Sequence, residues 1–404
     1  MLIKWNRANA ISSGFFLLCA ALLYLRRPNQ FTRPGVWNEE SVFFLHQLES
    51  GMLSVFKPIA GYIAFVPKFI HGIALHLSFT NFPWIASILT FGFLLTILFL
   101  ISKAPTLFHA PRLAALLLLL IPSDSECFMV SLYTLWWAGL LVILTLVWQT
   151  EKKAELLRYS LLTLGALSSP LIIGLIPLFW MRWLYTRSAH DFKFNVYSTL
   201  LATFQFWIYQ TTNTWKPVHA QIDNEYIKEF LRKFVGYYFQ SNSGADFFKI
   251  LFLVLFITSL VRAFQKKHLL VILLSGAWII TAVLSSIRLG GPHLIDPLNA
   301  GPRYFFYPYI LMGWLLLSFW PHSHALKKSL VALLLVAGVY NALPILKRKH
   351  DKLEWKEAIE TCLSSSPEAT HRIPVHFAGD KNHLWHLELT GSQCRKLAEM
   401  ALFP

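Results

Sequence analysis

Long apolar runs separated by short polar stretches dominate this chain of 404 residues. Most of the runs approach the roughly 20 residues that a helix needs to cross a bilayer. So many runs of this length cannot be hidden in a water-soluble core. The pattern therefore predicts membrane-spanning helices over residues 8–25, 82–102, 130–149, 194–212, 247–264, 269–287, 304–320 and 329–346.

Two further apolar segments contain proline breaks. Residues 107–122 end in Ile121-Pro122, which predicts a short helix stopped by the proline. Residues 159–184 carry Ser168-Ser169-Pro170 at their centre, and lysines and arginines flank them on both sides. Since short basic loops stay on the cytoplasmic side, this segment should enter and return as two short helices.

The charge pattern sets an orientation for the whole chain. With the N-terminus inside, the cytoplasmic stretches hold fifteen lysines and arginines and the short outer loops hold only Arg288 and Arg303, as the positive-inside rule requires; the long outer segments carry more, but long segments cross largely regardless of charge. The resulting plan is an all-α polytopic bundle of about eleven crossings over residues 1–346, with a first outer loop at 26–81. Residues 347–404 form a small extracytoplasmic segment. Residues 58–79 should be an interfacial helix pair; if they crossed, every later orientation would reverse.

Composition narrows the class of protein. Hydrophobic residues make up 55% of the chain and charged residues 14%, whereas soluble domains carry about 25% charged residues. This excludes soluble enzymes, nucleic-acid modules and disordered proteins. The formal charge of +15 then fits topology and lipid headgroups better than nucleic acid. The N-terminal run lacks a small-residue cleavage site, so we expect an uncleaved first helix in a multi-pass cell (inner) membrane protein.

The four cysteines suggest no zinc site, because they lack close spacing. Cys362 and Cys394 both fall in the exterior segment and could form a disulfide in an oxidising compartment. Under this plan only three acidic residues lie inside, namely Glu151, Glu155 and Asp191. The remaining carboxylates are outside, so chemistry is to be sought on the outer face.

The first candidate group on that face is Trp37-Asn38-Glu39-Glu40, directly after the first helix. One interpretation is helix initiation, with Asn38 as the N-cap and two carboxylates favoured by the helix dipole. The other is a general base, Glu39 or Glu40, held at the membrane surface. Both interpretations can hold together, because a first-turn carboxylate has a fixed direction.

The second group is Ser123-Asp124-Ser125-Glu126, between two apolar helices. Acids at such a break are costly unless they are solvated or paired, although a plain turn also explains them. Trp136 and Trp137 follow closely and could stack on a sugar ring or belong to the interfacial aromatic belt.

The third group lies in the Gly/Pro-rich stretch 288–303, which contains His293 and leads into Arg303-Tyr304. Arg303 stands where a helix enters the membrane, and arginine binds phosphate oxygens bidentately. A snorkelling interfacial arginine is the alternative. Lys57 could also face a phosphate or be a solvated lysine; Tyr62 follows it closely in the first outer loop.

These pieces, in this order, resemble the GT-C superfamily of integral-membrane glycosyltransferases, which use polyprenyl-phosphate-linked sugars on the extracytoplasmic face. The matching stretches are Trp37–Glu40, Lys57–Tyr62, Ile121–Glu126, Leu135–Trp137 and Gly301–Phe305. The resemblance implies a base in the first outer loop, Glu39 or Glu40. It also implies an acceptor or metal role for the acids at Asp124 and Glu126. A divalent metal is compatible with the superfamily but is not indicated, and no cofactor is expected.

The leading hypothesis is therefore an inverting glycosyltransferase that moves a sugar from a polyprenyl-phosphate donor to an envelope glycan, lipid or protein. Lipid phosphate leaves as an anion, so one base suffices and a cation such as Arg303 stabilises the departing charge. A flippase or transporter for a lipid-linked glycan is the alternative, with the breaks at Pro122 and Pro170 as its binding site. A membrane O-acyltransferase is a third option that lacks a convincing histidine in the predicted spans.

Overall fold

The computed structural model describes residues 7–149, 154–212, 220–240, 245–288, 290–321, 324–376 and 386–403. This part of the chain is mostly helical. Its first ten helices are α1 Arg7–Arg26, α2 Asn29–Thr32, α3 Ser41–Ser50, α4 Phe65–Leu77, α5 Phe82–Lys103, α6 Pro111–Leu119, α7 Thr134–Leu146, α8 Glu155–Ser168, α9 Leu171–Thr186 and α10 Ala189–Thr212.

The second half continues the helical pattern and adds two strands. Its helices are α11 Asn224–Leu231, α12 Tyr237–Phe239, α13 Ala245–Lys266, α14 Leu269–Ile287, α15 Phe306–Phe319, α16 Ala325–Ala342, α17 Trp355–Ser364 and α18 Gly391–Glu399. Strands β1 Thr370–Pro374 and β2 His386–Thr390 pair antiparallel. The all-α expectation is therefore incomplete for the C-terminal segment, where alternating buried Ile373 and Val375 face Leu387 and Leu389.

Helix α7 forms the centre of the bundle. Every residue from Thr134 to Leu146 is buried except Trp136, which is half-buried. The helix packs against α4, α5, α8, α9 and α15. A helix that is apolar on all sides is stable only when other helices surround it. Residues just before α7 are therefore held at the end of a helix that is packed on all sides.

The break at Ser169-Pro170 reverses the chain, as the charge pattern predicts. Arg158 near the start of α8 and Arg182 near the end of α9 both bind the carboxylate of Asp191, at 2.9 and 3.1 Å. In one continuous helix these arginines would lie about 36 Å apart, at 1.5 Å per residue. The prediction of two short helices with a chain reversal between them is confirmed, and so is the short helix α6 before Pro122; that the pair enters and leaves a membrane on the cytoplasmic side stays a prediction.

Four of the described helices are long and apolar enough to cross a bilayer: Phe82–Lys103, Asp246–Lys266, Leu269–Ile287 and Ala325–Ile345. Four shorter apolar helices accompany them: Ser12–Arg26, Phe65–Leu77, Thr134–Leu146 and Leu171–Thr186. These lengths and compositions are compatible with a membrane protein. The predicted number of crossings and their orientation stay predictions.

Residues 26–81, which were predicted to be the first outer loop and keep that name below, are folded against the bundle. It contains α2, a 3-10 turn at Asn38–Glu40, α3, and α4. The expectation of a helix pair over 58–79 is wrong in one respect, because α4 is the only helix there. Its polar residues Lys68 and His71 are buried and face protein rather than solvent.

The C-terminal segment packs on this loop. Phe44, Phe79 and Phe82 share a buried apolar cluster with Trp355 and Ile359 of α17. The predicted disulfide between Cys362 and Cys394 is present and joins α17 to α18. At the edge of the segment, His376 N donates to Val36 O at 2.7 Å and Asn38 N donates to His376 O at 2.8 Å. These backbone bonds fasten the start of the Asn38–Glu40 turn.

Candidate functional site

The two carboxylates of the outer loop have opposite environments. Glu40 is 1% exposed. Its Oε2 accepts from Trp37 N at 2.7 Å, and its Oε1 accepts from Leu132 N at 3.1 Å and from the Ser131 hydroxyl. Burial raises the pKa of Glu40 to about 7, against these three hydrogen bonds. Glu40 therefore ties the outer loop to the start of α7 and has no surface for a ligand.

The side chain of Glu39 is not buried as that of Glu40 is. Its side chain is exposed, yet the surrounding protein desolvates the carboxyl and raises its pKa. Arg303 opposes that rise, Glu126 adds to it, and an interaction with the Trp37 side chain lowers it. The carboxyl group is therefore accessible to solvent and also partly surrounded by protein. Of the two sequence candidates for a base, Glu39 is the accessible one.

Glu126 and Arg303 form a fixed ion pair beside Glu39. Arg303 Nη1 donates to Glu126 Oε1 at 2.6 Å, and Arg303 N donates to Glu126 Oε2 at 3.2 Å. The Tyr133 hydroxyl also donates to Glu126 Oε1, at 2.7 Å. The described part of the chain supplies no acceptor for Arg303 Nε and Nη2, and this side chain is 27% exposed. Two donor nitrogens, which carry three N–H groups, are thus left for a ligand.

Local backbone geometry places Arg303. Gly301 adopts φ 68°, a left-handed conformation that glycine tolerates best, just before the 3-10 turn Pro302–Phe305. A Cβ at Gly301 would lie 2.8 Å from the Tyr304 ring, so a side chain there would displace the tyrosine. The turn then leads directly into α15, which packs against α7.

Aromatic rings lie beside the ion pair of Glu126 and Arg303. The Arg303 guanidinium lies 5.4 Å from the centre of the Tyr304 ring, and half-buried Trp136 meets Tyr304 edge to face at 6.2 Å. Tyr62 is half-buried; burial and the charge of Glu39 raise its pKa to about 12. Trp137 differs, because it is fully buried and donates to Cys127 O at 2.8 Å. The expected stacking role is therefore wrong for Trp137 and stays open for Trp136.

Asp124 belongs to a neighbouring ion pair. Its carboxylate binds Arg348 of the C-terminal segment, and its backbone N donates to Pro297 O at 2.8 Å. Arg26 lies beneath, fully buried, and donates to Leu119 O at 2.8 Å and Ser123 O at 2.9 Å. Asp124 therefore holds the chain together at this point instead of projecting beside Glu126.

The remaining sequence candidates lie apart from these contacts. Lys57 pairs with Glu49 at 2.5 Å on the surface of the outer loop. His293 is exposed, and its backbone carbonyl accepts from Lys233 Nζ at 3.4 Å. Neither side chain has a described contact with Glu39, Glu126 or Arg303.

Two contributors escaped the sequence analysis. Tyr133 fixes Glu126, and buried Arg27 donates to the Glu126 backbone carbonyl at 3.2 Å. Tyr133 is seven residues from Glu126 in the aromatic stretch before α7, which was a usable signal. Arg26-Arg27 at a helix end is typical of basic residues that set membrane topology. The local sequence therefore gives no sign that these side chains are buried. We call Glu39, Tyr62, Glu126, Tyr133, Arg303 and Tyr304 the Glu39 site.

Comparison of the chain with protein-family models, curated proteins and solved structures gives no match. Within the described residues, no three His, Cys, Asp or Glu side chains come together as a metal site would require. A hollow of about 320 Å³ lies elsewhere, on the C-terminal segment, lined by Glu354, Glu357, Ala358, Thr361, His371, Arg372 and Pro374. The interpretation of function rests on the geometry of the Glu39 site alone.

Proposed function

We propose that this protein is a membrane glycosyltransferase of the GT-C kind. It transfers a sugar from a polyprenyl-phosphate donor to an acceptor hydroxyl on an envelope glycan, lipid or protein. The observation that carries the proposal is the exposed, desolvated Glu39 carboxyl beside an arginine with two unused donor nitrogens among the described contacts. One base and one cation are the minimal set for displacing a phosphate leaving group.

The reaction assigns one role to each group. Glu39 accepts the proton of the acceptor hydroxyl as its oxygen bonds to the anomeric carbon. The bond from that carbon to the phosphate oxygen breaks, and its electron pair leaves with the polyprenyl phosphate. Attack opposite the leaving group inverts the anomeric configuration, and the leaving anion requires no proton. A base whose pKa is raised toward the working pH is better matched to this transfer.

Arg303 receives the developing phosphate charge through Nε and Nη2. Glu126 and Tyr133 hold the opposite side of the guanidinium, so its orientation is set before the donor binds. Preorganised donors stabilise charge without reorganising during the reaction. Tyr304 and Trp136 supply the ring faces and edges beside this cation, where a sugar can stack.

Glu40 acts as a positioning residue in this scheme. Its bonds to Ser131, Leu132 and Trp37 fix the turn that carries Glu39 relative to the end of α7. The disulfide in the C-terminal segment supports an oxidising compartment, and therefore an extracytoplasmic location for the loop it packs on. The helices compatible with a bilayer would hold the prenyl chain beside the site.

The test uses purified protein in lipid nanodiscs, a panel of radiolabelled polyprenyl-phosphate sugars, and envelope lipid extract as acceptor. Release of polyprenyl phosphate and label transfer are both measured. Wild type should give both signals, and Glu39→Gln should lose them while keeping its melting temperature. Glu49→Gln, which changes an exposed acid in the same loop, is the matched control. Transfer at the wild-type rate by Glu39→Gln would refute the assignment of the base.

A further inference from the structure

Four buried nitrogen atoms that have no hydrogen-bond partner among the described residues lie where the chain after α1 contacts the C-terminal segment. They are Arg27 Nε, Arg33 Nε, His350 Nδ1 and His376 Nε2. Native proteins leave few buried polar atoms unpaired, so a local concentration of them requires an explanation. We call Arg27, Arg33, Arg348, His350 and His376 the basic cluster.

Direct contacts hold the basic cluster together. The rings of His350 and His376 lie 4.2 Å apart, and His350 Nε2 lies 3.1 Å from Arg33 O. The Arg27 and Arg348 guanidinium carbons lie 5.4 and 5.5 Å from the centre of the Trp37 ring. Five positively charged or protonatable side chains therefore surround one small region beside Trp37.

The carboxylates nearby do not balance this charge. Asp124 is taken by Arg348 and Glu126 by Arg303, and Arg27 receives only the backbone carbonyl of Glu126. Arg27 is 1% exposed, so its charge is removed from water without an acidic partner among the described residues. A buried charge is costly unless it is paired.

The pKa values of Arg27, His350 and His376 reflect this environment. Burial, followed by the charge of Arg348, lowers the pKa of Arg27 to about 9. Burial and the neighbouring arginines lower the pKa of His350 to about 4, and burial with His350 and the arginines lowers that of His376 to about 3. Water could complete the missing hydrogen bonds but cannot neutralise the arginines. An anion can do both.

We propose that the basic cluster is a binding site for a phosphate-class anion, separate from Arg303. The two arginine Nε–H groups are donors suited to phosphate oxygens, and a nearby anion would favour protonated, donating imidazoles. Arg33, Arg348, His350 and His376 are each only partly buried, which leaves an approach from the surface. The anion is a free phosphate or the phosphate group of a membrane lipid.

This second site goes beyond the proposed function and does not require it. Trp37 links the two regions, because it contacts Arg27 and Arg348 while its ring meets Tyr133 edge to face at 5.5 Å. If sugar transfer takes place at Glu39, a phosphate in the basic cluster would hold an anionic acceptor within reach of the base.

The first experiment measures thermal unfolding and calorimetric binding of the full chain in neutral-lipid nanodiscs. Inorganic phosphate is titrated against sodium chloride at equal ionic strength. Phosphate should raise the melting temperature in a saturable way that chloride does not reproduce. A second arm replaces part of the neutral lipid with phosphatidic acid and omits free phosphate. Stabilisation in only one arm identifies the source of the anion.

Variants decide whether the effect belongs to the basic cluster. Arg27→Gln should weaken phosphate binding roughly ten- to hundredfold, the range expected for one lost charged hydrogen bond. Arg33→Gln, at a more exposed position, gives the same test if Arg27→Gln folds poorly. Arg372→Gln, an exposed arginine of the same segment, is the matched control and should bind as wild type does.

Several results would overturn the proposal. One is a wild-type protein that phosphate and phosphatidic acid stabilise no more than their controls do. Another is equal weakening by Arg27→Gln and Arg372→Gln, which indicates diffuse surface charge. Arg303→Gln separates this proposal from the previous one, because it should abolish polyprenyl-phosphate release and leave phosphate stabilisation in place. Loss of both in Arg303→Gln would show that there is a single anion site.

Discussion

Two ion networks in this protein use the same residue types to different ends. In one, Asp191 binds Arg158 at 2.9 Å, Arg182 at 3.1 Å and the Thr186 hydroxyl at 2.9 Å, with all three charged groups buried. The arginines also donate to the carbonyls of Thr145 and Leu146 at the end of α7. The negative end of a helix dipole thus shares in balancing the second cation.

In the Asp191 network Arg158 Nη2 lacks a hydrogen-bond partner among the described residues, whereas the Glu39 site and the basic cluster leave several groups unpaired. Among the described residues, Glu39 forms no ion pair, Arg303 keeps two unused donor nitrogens, and Arg27 pairs with none of the carboxylates around it. The comparison teaches that burial of charge alone does not indicate function. Residual, directed hydrogen-bonding capacity does, because only groups left incomplete by the protein can be completed by a ligand.

The largest expected effect concerns the accessible carboxylate. Glu39→Gln should lower the transfer rate by about 10²- to 10⁴-fold, the usual contribution of a positioned base. Transfer by wild type should rise with pH until the raised pKa of Glu39 is passed, because only the carboxylate accepts the proton. Transfer assays from pH 4 to 8 measure both effects. A Glu39→Gln variant with an unchanged pH profile would contradict the assignment.

In the Asp191 network, by contrast, a substitution should lower the stability of the protein rather than its transfer rate. Asp191→Asn leaves two buried arginines without a carboxylate and should cost about 3–5 kcal/mol. Thermal unfolding in detergent measures the change. Glu155→Gln is the control, since Glu155 pairs with His190 on the surface and its loss should cost under about 1 kcal/mol. Equal melting temperatures for the two variants would show that the network contributes little.

Substitution of Glu40 should lower stability less than substitution of Asp191 does and more than substitution of Glu39 does. In Glu40→Gln an amide replaces one acceptor oxygen and confronts a backbone N–H, which should cost about 1–3 kcal/mol. Glu39→Gln should stay within about 0.5 kcal/mol of wild type, as surface substitutions usually do. Chemical unfolding of the two variants compares adjacent glutamates directly. A larger loss in Glu39→Gln would mean that Glu39, not Glu40, is the residue that fastens the loop.

The pH dependence of stability is a second test of the buried environment of Glu40. The folded pKa of Glu40, about 7, lies above the ordinary value near 4.5. Between these values the folded state keeps a proton that the unfolded state has lost, so this group makes stability fall as pH rises from 5 to 7. His350 and His376, whose pKa values are lowered, act in the opposite sense. The stability difference between wild type and Glu40→Gln isolates Glu40 and should shrink over that range.

The smallest effect is expected at Lys57. Lys57→Met removes an exposed ion pair with Glu49, worth at most about 1 kcal/mol. Sugar transfer should continue at the wild-type rate, because Lys57 has no described contact with the Glu39 site. A selective loss of transfer in this variant would restore Lys57 as a phosphate ligand.

Local sequence was enough for much of the fold. Long apolar runs located the long helices of the bundle, and basic flanks on both sides of residues 159–184 predicted the reversal at which Asp191 binds Arg158 and Arg182. The pairing of Cys362 with Cys394 also followed from their shared segment. The two strands were not predicted, because each has five residues, of which only one in β1 and two in β2 are buried.

The sequence by itself determined that the acids of the outer face are candidates, since residue type and position fix their chemistry. Only the tertiary structure separated Glu39 from Glu40, because Ser131, which captures Glu40, is 91 residues away. The tertiary structure likewise decided that the side chains of Arg27 and Trp137 are buried. Burial and pairing depend on which distant segments come into contact. The residues adjacent in the sequence do not indicate those contacts.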